Sequence, residues 1–455
     1  MTRAQWGAAV VAALLAGSLS LLLASAPGYD AFAWQVWGRG LAHLRLDTTG
    51  GPSWKPLPVL VDAPLSVLGN AAPLIWLALV RAVALLALLL AHRLAARLAG
   101  PVAGWVAVVG LALGAGLYRT ALLGSSEPLL IALALGVCDC HLGGRRRWSL
   151  GCIALGGLIR PEAWPFLWLY AAYVWRAEPA ARRLVALLAL APPAIWLGLD
   201  WIGSGKPLSA GARAHEPAAG SIANARLPAL EVLRRSSEAM PLPVFLLGVG
   251  AAIAGVRRRD RAVLEIAAVA LAWIAIVAIL SQGGYPGLQR HLAVPAALIC
   301  VLAGVGVAWF FAALPGRGWR VAAASVLLGL GFAFAFPPMR QDGRLLSVAR
   351  AQTDQLGELR RAIGRAGGAH AVLAAGAPAI NPWLQTALAF DLHAQLPQVQ
   401  ATWGSTRRHP GWQPPAMVFR APARLAGPGP ALGSSVAVRP VAAAGRWRVL
   451  LAKPR

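Results

Sequence analysis

The sequence predicts an all-α, polytopic membrane protein that carries a small α/β domain at its C-terminal end. Its 455 residues are 58% hydrophobic and only 13% charged, whereas soluble domains contain roughly 25% charged residues. The mean hydropathy is +0.61, and many apolar runs approach the ~20 residues that cross a bilayer. After residue 337 the long apolar runs end, and Pro, Gly and polar residues become more frequent. These observations together predict a helical membrane domain followed by a small domain outside the bilayer.

The chain is also strongly basic. It has 42 Lys and Arg against 17 Asp and Glu, a formal net charge of +25. In a polar chain this excess would indicate nucleic-acid binding. The hydropathy instead excludes a soluble nucleic-acid-binding protein, a disordered chain and a compact cytosolic enzyme, so the expected partner is the lipid bilayer and no nucleic acid. The cysteines form neither a zinc pattern nor a secreted disulfide framework, since they lie in or beside apolar runs at Cys138, Cys140, Cys152 and Cys300.

Eleven apolar runs are predicted to cross the membrane. The first is expected to remain as an uncleaved span, because Pro27 follows the signal-peptidase-like Ala24-Ser25-Ala26 and disfavours cleavage there. An odd number of spans places the two ends of the chain on opposite faces. The predicted spans are 6–25, 73–92, 101–117, 126–141, 149–159, 163–175, 184–202, 241–256, 262–281, 290–314 and 319–337.

Short arginine-rich loops predict the orientation of these spans, because Lys and Arg are retained on the cytoplasmic side. All the basic loops share one face only if an even number of spans separates successive loops. This predicts a multi-pass protein of the plasma (inner) membrane with a cytoplasmic N-terminus and an extracytoplasmic C-terminal domain. The basic loops contain Arg93 and Arg97; Arg145, Arg146 and Arg147; Arg176, Arg182 and Arg183; Arg257, Arg258, Arg259 and Arg261; and Arg317 and Arg320.

The same requirement predicts a broken pair of helices in the middle of the chain. Only 28 residues separate Arg147 from Arg176, too few for two full spans. Two short helices, 149–159 and 163–175, resolve the conflict if they meet at Pro161, which lacks an amide donor and disfavours helix at Arg160. Broken helices at membrane depth are buried or line a watery cavity. Arg160 and Glu162 are therefore expected to face such a cavity from the outer side.

Two parts of the chain are predicted. The transmembrane domain covers 1–337 and has outer loops at 27–72 and 203–240, and the C-terminal domain covers 338–455. A helix near 346–366 is expected to begin the C-terminal domain. The segments 371–376 and 446–451 are predicted to be short strands, the first ending in a glycine turn.

The first outer loop is predicted to contain a short helix in the membrane interface. Trp34, Trp37, Leu41 and Leu44 recur at i, i+3, i+7 and i+10, which places them on one helical face and the tryptophans at headgroup depth. The simpler interpretation is that these tryptophans only anchor the protein. Further along the loop, Gly and Pro residues around Trp54-Lys55 predict a shaped turn that presents this cation.

Charged residues at membrane depth are costly and indicate functional sites. With the predicted topology, six of them surround one outward-facing pocket, and His291 follows the last of them. A carboxylate can accept a proton from an attacking hydroxyl, and cations can hold a departing phosphate. Structural ion pairing of Arg160 with Glu162 or Glu127 is the competing interpretation. The six charged residues are Asp30, Lys55, Glu127, Arg160, Glu162 and Arg290.

These features resemble the GT-C superfamily of integral-membrane glycosyltransferases, the class of the protein O-mannosyltransferases, aminoarabinose transferases and arabinofuranosyltransferases. The resemblance rests on Gly28-Tyr29-Asp30 directly after the first span, the long first outer loop, the broken mid-chain helices and the variable C-terminal outer domain. It implies transfer of a sugar from a polyprenyl-phosphate carrier to a glycan, lipid or protein acceptor, usually with inversion. It further implies that Asp30 is the catalytic acidic residue, with Asp47 as an alternative base.

The resemblance also implies phosphate-binding roles for Arg160 and Arg290, and a weaker one for Lys55. Trp34, Trp54, Glu127, Glu162 and His291 are expected to complete the pocket. The Asp-x-Asp metal pattern of the oligosaccharyltransferase branch is absent, because Asp30-Ala31-Phe32 does not supply it. No cofactor is therefore expected; a divalent metal is possible but not favoured.

Three other functions remain open at this point. A multi-span transporter of a polar or anionic solute also has broken helices and intramembrane charges, but such proteins bind near the midplane and have repeated halves. A lipid-linked glycan ligase or polymerase shares the substrates, and a non-catalytic scaffold would leave its charges paired. Convergence of Asp30, Arg160 and Arg290 in one outward pocket would favour the glycosyltransferase.

Overall fold

The computed structural model describes residues 2–23, 25–215, 221–401, 413–421, 430, 432 and 435–455. The described residues are mainly helical, and a small sheet lies near the C-terminal end. The helices are α1 (Arg3–Leu19), α2 (Tyr29–Ala42), α3 (Pro56–Leu65), α4 (Ala72–Ala99), α5 (Pro101–Leu113), α6 (Leu117–Leu122), α7 (Glu127–Leu142), α8 (Arg146–Gly157), α9 (Trp164–Ala177), α10 (Arg182–Ser204), α11 (Ser209–Ala214), α12 (Pro228–Glu238), α13 (Leu242–Arg258), α14 (Arg261–Gln282), α15 (Ala293–Ala313), α16 (Arg317–Arg365), α17 (Gly368–Ala374) and α18 (Gln385–Asp391).

The chain is a multi-pass membrane protein. In the described residues, six helical segments are long and apolar enough to span a bilayer, or seven if the bent pair α12 and α13 is one span. Each of the eleven predicted apolar runs coincides with a helix, but the predicted count of eleven spans is not confirmed. Several of these helices are short: α5 has 13 residues and α8 has 12, about 18–20 Å at 1.5 Å per residue, against a hydrocarbon core of about 30 Å.

The predicted broken pair in the middle of the chain is confirmed. Helix α8 ends at Gly157 and α9 begins at Trp164, and Arg160 between them has an extended backbone with φ −146° and ψ 126°. Pro161 starts a single turn of 3-10 helix after this residue. The chain turns back here because a proline can neither donate to the preceding turn nor accommodate a helical residue before it.

The arginine-rich loops meet at one end of the helix bundle, which we call the basic end. Contacts between loops define it: Arg93 lies 2.9 Å from Asp139, Arg147 lies 2.8 Å from Glu178 and His141 lies 3.3 Å from Glu265. Asp139 and His141 belong to the C-terminal part of α7, whereas Glu127 begins the same helix. The basic end is therefore separated from Glu127 by the length of α7, about 20 Å.

Helix α15 lies at the centre of the bundle, since 14 of its 21 residues are buried. It packs closely against α5, where a Cβ added at Gly304 would overlap the carbonyl oxygen of Ala103. Small residues allow helices in a bilayer to approach in this way, and dispersion contacts between the backbones then hold them together.

Helices α2 and α3 pack beside the bundle. The predicted helix in the first outer loop is present as α2, but Trp34 and Trp37 are fully buried rather than exposed at headgroup depth. The reason is that other parts of the chain cover them: Trp34 packs edge-on against Trp76, and Trp37 against Trp54. Leu44, the last residue of the predicted face, follows the helix with φ +54° and is exposed.

The C-terminal part contains a five-stranded sheet in the order β2-β1-β3-β5-β4. β1 pairs in parallel with β2 and β3, and the remaining pairs are antiparallel. The predicted strand at 446–451 is confirmed within β5. The predicted strand at 371–376 is wrong, because this segment forms most of α17. The strands are β1 (Ala379–Ile380), β2 (Gln400–Ala401), β3 (Ala416–Arg420), β4 (Val436–Ala444) and β5 (Trp447–Pro454).

The membrane and C-terminal parts are joined by α16, and the predicted boundary after residue 337 falls within this helix. The two parts also share one apolar core on α2. Phe32 lies 5.6 Å from Phe390 between ring centroids, and Arg39 donates to the Phe390 carbonyl oxygen at 3.2 Å. The C-terminal part is thus packed directly on the helix that begins with Tyr29 and Asp30.

Candidate active site

Asp30 is held in place by the start of α2. Gly28, the residue before this helix, donates its backbone N–H to the carbonyl oxygen of Leu123 at 2.8 Å. Asp30 lies in the first turn, where the partial positive charge of a helix N-terminus stabilises a carboxylate. Arg290 Nη1 lies 2.9 Å from Asp30 Oδ2, and both side chains are partly exposed. This ion pair joins the first outer loop to the turn before α15.

The C-terminal part supports the same end of α2. The Thr386 hydroxyl donates to the Tyr29 carbonyl oxygen at 2.9 Å, and the Tyr29 hydroxyl donates to Gln385 Oε1 at 3.0 Å. Burial, followed by the nearby Asp30 charge, raises the pKa of the Tyr29 hydroxyl above its ordinary value, so this group stays a hydrogen-bond donor. Residues of α18 thereby fix the backbone that carries Asp30.

Lys55 lies next to this pair, directly before α3. Its backbone is extended, and the N–H of the second residue of α3, Leu57, donates to the Leu158 carbonyl oxygen at 3.0 Å, which joins α3 to the helix break. Lys55 Nζ donates to Ser126 Oγ at 2.9 Å and lies 5.3 Å from the centroid of the Trp34 ring. Burial lowers the pKa of this amine to about 8, although the Glu127 charge opposes the shift. Lys55 is therefore a nearly inaccessible amine with a pKa of about 8.

Arg160 lies between two carboxylates in what we call the buried triad, Glu127, Arg160 and Glu162. Its Nη2 is 3.0 Å from Glu127 Oε1 and its Nη1 is 3.4 Å from Glu162 Oε1. All three side chains are at most 4% exposed. A buried charge of this kind persists only when it is paired. The geometry of Arg160 therefore fits the competing interpretation, structural ion pairing, and its partners are both Glu127 and Glu162.

Tyr285 joins the triad to the last outer turn and was not among the predicted site residues. Its hydroxyl donates to Glu162 Oε1 at 2.8 Å and accepts from Arg160 Nη1 at 3.3 Å. The ring stacks on His291 with a centroid distance of 4.5 Å. Burial raises the pKa of this phenol, and the Glu162 charge adds to the shift. The sequence signal that could have found it is an aromatic hydroxyl within the polar segment 281–291.

Eight residues thus form one connected group, which we call the polar cluster. Lys55 links its two halves, because it interacts electrostatically with Asp30 and Arg290 on one side and with Glu127 and Arg160 on the other. Asp30 and Arg290 form its accessible edge, and the buried triad forms its inner wall. The polar cluster consists of Asp30, Lys55, Glu127, Arg160, Glu162, Tyr285, Arg290 and His291.

Three of the predicted site residues have other surroundings. Asp47 Oδ1 accepts from the backbone N–H of Thr49 at 2.9 Å and from its hydroxyl at 2.6 Å, a local turn with no contact to the polar cluster among the described residues. Trp54 is fully buried against Trp37. Trp34 borders the cluster through Lys55. Among the described residues, no three His, Cys, Asp or Glu side chains form a group that could hold a metal ion.

Comparison with known proteins identifies the fold. No family model matches the chain, and no curated protein matches it in sequence. Among solved structures, the chain has the fold of the GT-C glycosyltransferases, and the predicted resemblance is confirmed at the level of fold. The aminoarabinose transferase ArnT from Cupriavidus metallidurans, solved bound to undecaprenyl phosphate, matches with a TM-score of 0.59 and 16% identity, over 99% of this chain and 98% of that one.

The apo form of the same ArnT matches with a TM-score of 0.59 and 17% identity, again over 99% of this chain and 98% of that one. The Archaeoglobus fulgidus oligosaccharyltransferase AglB, solved with an inhibitory peptide and a dolichol-phosphate, has a TM-score of 0.43 and 14% identity over 78% of this chain and 57% of that one. The likeness to ArnT extends over the membrane and C-terminal parts alike.

Proposed function

We propose that this protein is a membrane glycosyltransferase that moves a sugar from a polyprenyl-phosphate donor to an acceptor of the cell envelope, on the outer face of the plasma (inner) membrane. One observation carries the proposal: Asp30 and Arg290 pair at the accessible edge of the polar cluster, and the buried amine of Lys55 interacts electrostatically with both. The GT-C fold supports the same class of activity, and the similar ArnT was solved bound to undecaprenyl phosphate.

The arrangement of the cations supports phosphate binding at this edge. The polar cluster as a whole is balanced, with three cations and three carboxylates. Arg160 is buried between two of the carboxylates, whereas Arg290 is 39% exposed and pairs with Asp30. A phosphate that reaches Arg290 gains charge-assisted hydrogen bonds there, and the buried amine of Lys55 adds to the positive potential. We therefore assign the donor phosphate to Lys55 and Arg290, and we assign Arg160 to holding the inner wall.

The proposed reaction is a single displacement. Asp30 accepts the proton of the acceptor hydroxyl, whose oxygen forms a bond to the anomeric carbon of the sugar. The bond between the anomeric carbon and the phosphate oxygen breaks, and the polyprenyl phosphate leaves with the electron pair. Lys55 and Arg290 stabilise the charge that develops on the phosphate. Since these cations supply the positive charge that a divalent ion would otherwise supply, we propose a metal-independent transfer with inversion.

The sugar is proposed to be a hexose or a pentose, and the acceptor a glycan, a lipid or a protein. The depth of the polar cluster supports a lipid-linked donor. Its residues lie at the N-terminal end of α7, at the break between α8 and α9 and before α15, so they share the end of the bundle opposite the basic end. A donor whose tail stays in the bilayer presents its phosphate at such a depth.

Mass spectrometry of envelope glycans and lipids tests the proposal in a strain that lacks the gene. We expect loss of a sugar-bearing product, restoration by the wild-type gene and no restoration by Asp30→Asn, because an amide cannot accept the proton. Loss of a general base costs about 10²- to 10⁴-fold in rate. Asp47→Asn is the matched control, since it removes a carboxylate from the same outer loop, and it should restore the product.

Two outcomes would contradict different parts of the proposal. Restoration by Asp30→Asn together with failure of Asp47→Asn would assign the base to Asp47. If deletion left every glycan and glycolipid of the envelope unchanged, the protein would not be a glycosyltransferase of the envelope.

A further inference from the structure

A cavity of about 830 Å³ lies between helices of the bundle, and no residue of the polar cluster lines it. It is enclosed by α7, α8, α9, α14 and α15, and its lining follows α7 from Leu130 to Leu142, about 18 Å along the helix. This volume falls in the range of specific ligand sites, roughly 300–1,000 Å³. Most of the lining is aliphatic or aromatic, so the long axis of the cavity suits a hydrocarbon chain.

No residue of the polar cluster lines the cavity, although the lining includes Ala163, the residue after Glu162. Phe166 and Trp273 also line it and stack on each other with a centroid distance of 5.6 Å. The Trp273 Nε1–H donates to the His291 carbonyl oxygen at 2.9 Å. A lipid phosphate held at the other end of the cavity would therefore use charges that the polar cluster does not supply.

The polar residues of the lining are concentrated at the basic end. His141 bridges α9 and α14, since its Nδ1 lies 2.9 Å from the Tyr170 hydroxyl and its Nε2 3.3 Å from Glu265. Arg146 donates to the Tyr173 hydroxyl at 3.0 Å, and Arg261 donates to Glu265 at 2.9 Å. The mouth of the cavity is thus formed by hydrogen-bonding groups with two arginines at its rim.

Positive charge is in excess around this mouth. Asp139 accepts three arginines, within 2.8–3.9 Å, and Glu178 accepts two, within 2.8–3.8 Å. Together with the Arg261–Glu265 pair, six arginines face three carboxylates, which leaves three positive charges for an external anion. The arginines are Arg93, Arg97, Arg145, Arg146, Arg147 and Arg261.

Aromatic side chains place the mouth at the level of lipid headgroups. Trp148 follows the basic loop directly and is 72% exposed, and Trp175 lies at the end of α9 with 42% of its surface exposed. Exposed tryptophans at helix ends lie in the interface between hydrocarbon and water. A phosphate at the rim would therefore be at the depth of the lipid headgroups of that leaflet.

We propose that this cavity binds an anionic phospholipid from the leaflet opposite the polar cluster. Its headgroup phosphate would be held by Arg146 and Arg261, and an acyl chain would enter the cavity along α7. Basic pockets between transmembrane helices on this side of a bilayer bind anionic headgroups. The site goes beyond the proposed transfer reaction, because it uses other residues, another leaflet and a lipid that is not consumed.

Binding of phosphatidylglycerol to the purified full-length protein tests the proposal, with zwitterionic phosphatidylcholine, which has no net charge, as the comparison. The double variant Arg146→Gln/Arg261→Gln should bind phosphatidylglycerol roughly 10- to 30-fold more weakly, since each basic residue near a headgroup contributes about 1 kcal/mol. Arg183→Gln/Arg257→Gln is the matched control: it removes the same charge from the basic loops without touching the cavity, and its loss of affinity should be clearly smaller than that of the cavity variant. All four residues lie at the protein surface, so these variants keep the fold.

A second variant tests the chain-binding part of the cavity. Ala134→Phe fills the middle of the lining and should weaken phosphatidylglycerol binding while both rim arginines remain. Equal losses in the two double variants would overturn the proposal, because general surface charge would then account for binding. Equal affinity for phosphatidylcholine, or one-for-one displacement of phosphatidylglycerol by undecaprenyl phosphate, would also overturn it; the latter would assign the cavity to the donor lipid.

Discussion

Arg290 Nη1 and Asp30 Oδ2 lie 2.9 Å apart although 260 positions separate the two residues in the chain. The pair joins the segment between α1 and α3 to the turn before α15. Asp30 is 19% exposed and Arg290 39%, so a ligand can reach both groups. A small anion that binds Arg290 competes with Asp30 for the guanidinium, which leaves the carboxylate free to accept a proton.

Neutralising Arg290 should weaken donor binding. Arg290→Gln removes a charge-assisted bond, for which about 1.5–3 kcal/mol is typical, and we expect roughly 10- to 150-fold lower affinity for undecaprenyl phosphate. The measurement is binding of undecaprenyl phosphate to the protein in lipid nanodiscs. Arg119→Gln, an exposed arginine on α6, is the control and should bind as the wild type does. Equal affinity of Arg290→Gln and wild type would remove Arg290 from the phosphate site.

The affinity for undecaprenyl phosphate should fall as the pH rises through about 8. Burial lowers the pKa of Lys55 to about 8, so the amine is charged below this pH and neutral above it. The phosphate is already fully ionised by pH 7.5, because its second pKa is near 6, and it does not contribute to this change. Lys55→Met should bind weakly at pH 7 and show no such dependence between pH 7.5 and 9.5. A Lys55→Met variant that kept the alkaline fall would assign it to another group.

Removing Arg160 should destabilise the protein more than it changes phosphate affinity. Arg160→Met removes the cation that pairs with both buried carboxylates, Glu127 and Glu162, at a cost of about 3–5 kcal/mol. Thermal unfolding in detergent provides the measurement. Arg147→Met, which breaks an exposed pair with Glu178, is the control and should cost less than about 1 kcal/mol.

A rescue experiment separates this explanation from a general effect of substitution. Adding Glu127→Gln and Glu162→Gln to Arg160→Met removes the uncompensated charges and should recover part of the lost stability. If Arg160→Met unfolded at the same temperature as Arg147→Met, the triad would not be the structural inner wall that we describe.

Gly304→Ala should destabilise the helix bundle. The added methyl group would overlap the carbonyl oxygen of Ala103, so α15 and α5 must separate; overpacking of this kind costs about 1–3 kcal/mol. Gly250→Ala in α13 is the matched control, because a Cβ there has no neighbour within 4 Å. Alanine is the better helix former by about 1 kcal/mol, so the control should be neutral or slightly stabilising. If Gly304→Ala unfolded at the same temperature as Gly250→Ala, or at a higher one, the close packing of α15 on α5 would be contradicted.

The sequence predicted the helix positions well because apolar runs and their Gly, Pro and Arg boundaries are local features. It also predicted the break at Pro161, since one residue causes it. Six charged residues of the polar cluster were expected together because topology places them at one depth. Their functional roles remain predictions.

Other features depend on distant parts of the chain and were missed. The face of α2 with Trp34 and Trp37 is apolar because it is buried, not because it lies in the interface. Trp76 and Trp54 cover these two tryptophans, and Phe390, more than 350 positions further along the chain, covers Phe32 of the same helix. The segment 371–376 is too short for periodicity to distinguish strand from helix. The count of eleven spans is not confirmed, since α5 and α8 are shorter than a bilayer. The local turn of Asp47 has a sequence signal in Thr49, two residues later, and the role of Asp47 stays a prediction.

The shared core of α2 and the C-terminal part has a consequence for biosynthesis. The ribosome makes the helix with Asp30 at the start of the chain and its packing partners, Gln385, Thr386 and Phe390, near the end. Until those residues have been synthesised, Phe32 and the backbone of Tyr29 lack their partners. The contacts that support the backbone of Asp30 are therefore completed last, so we expect a prematurely terminated chain to lack them even when all of its spans are inserted.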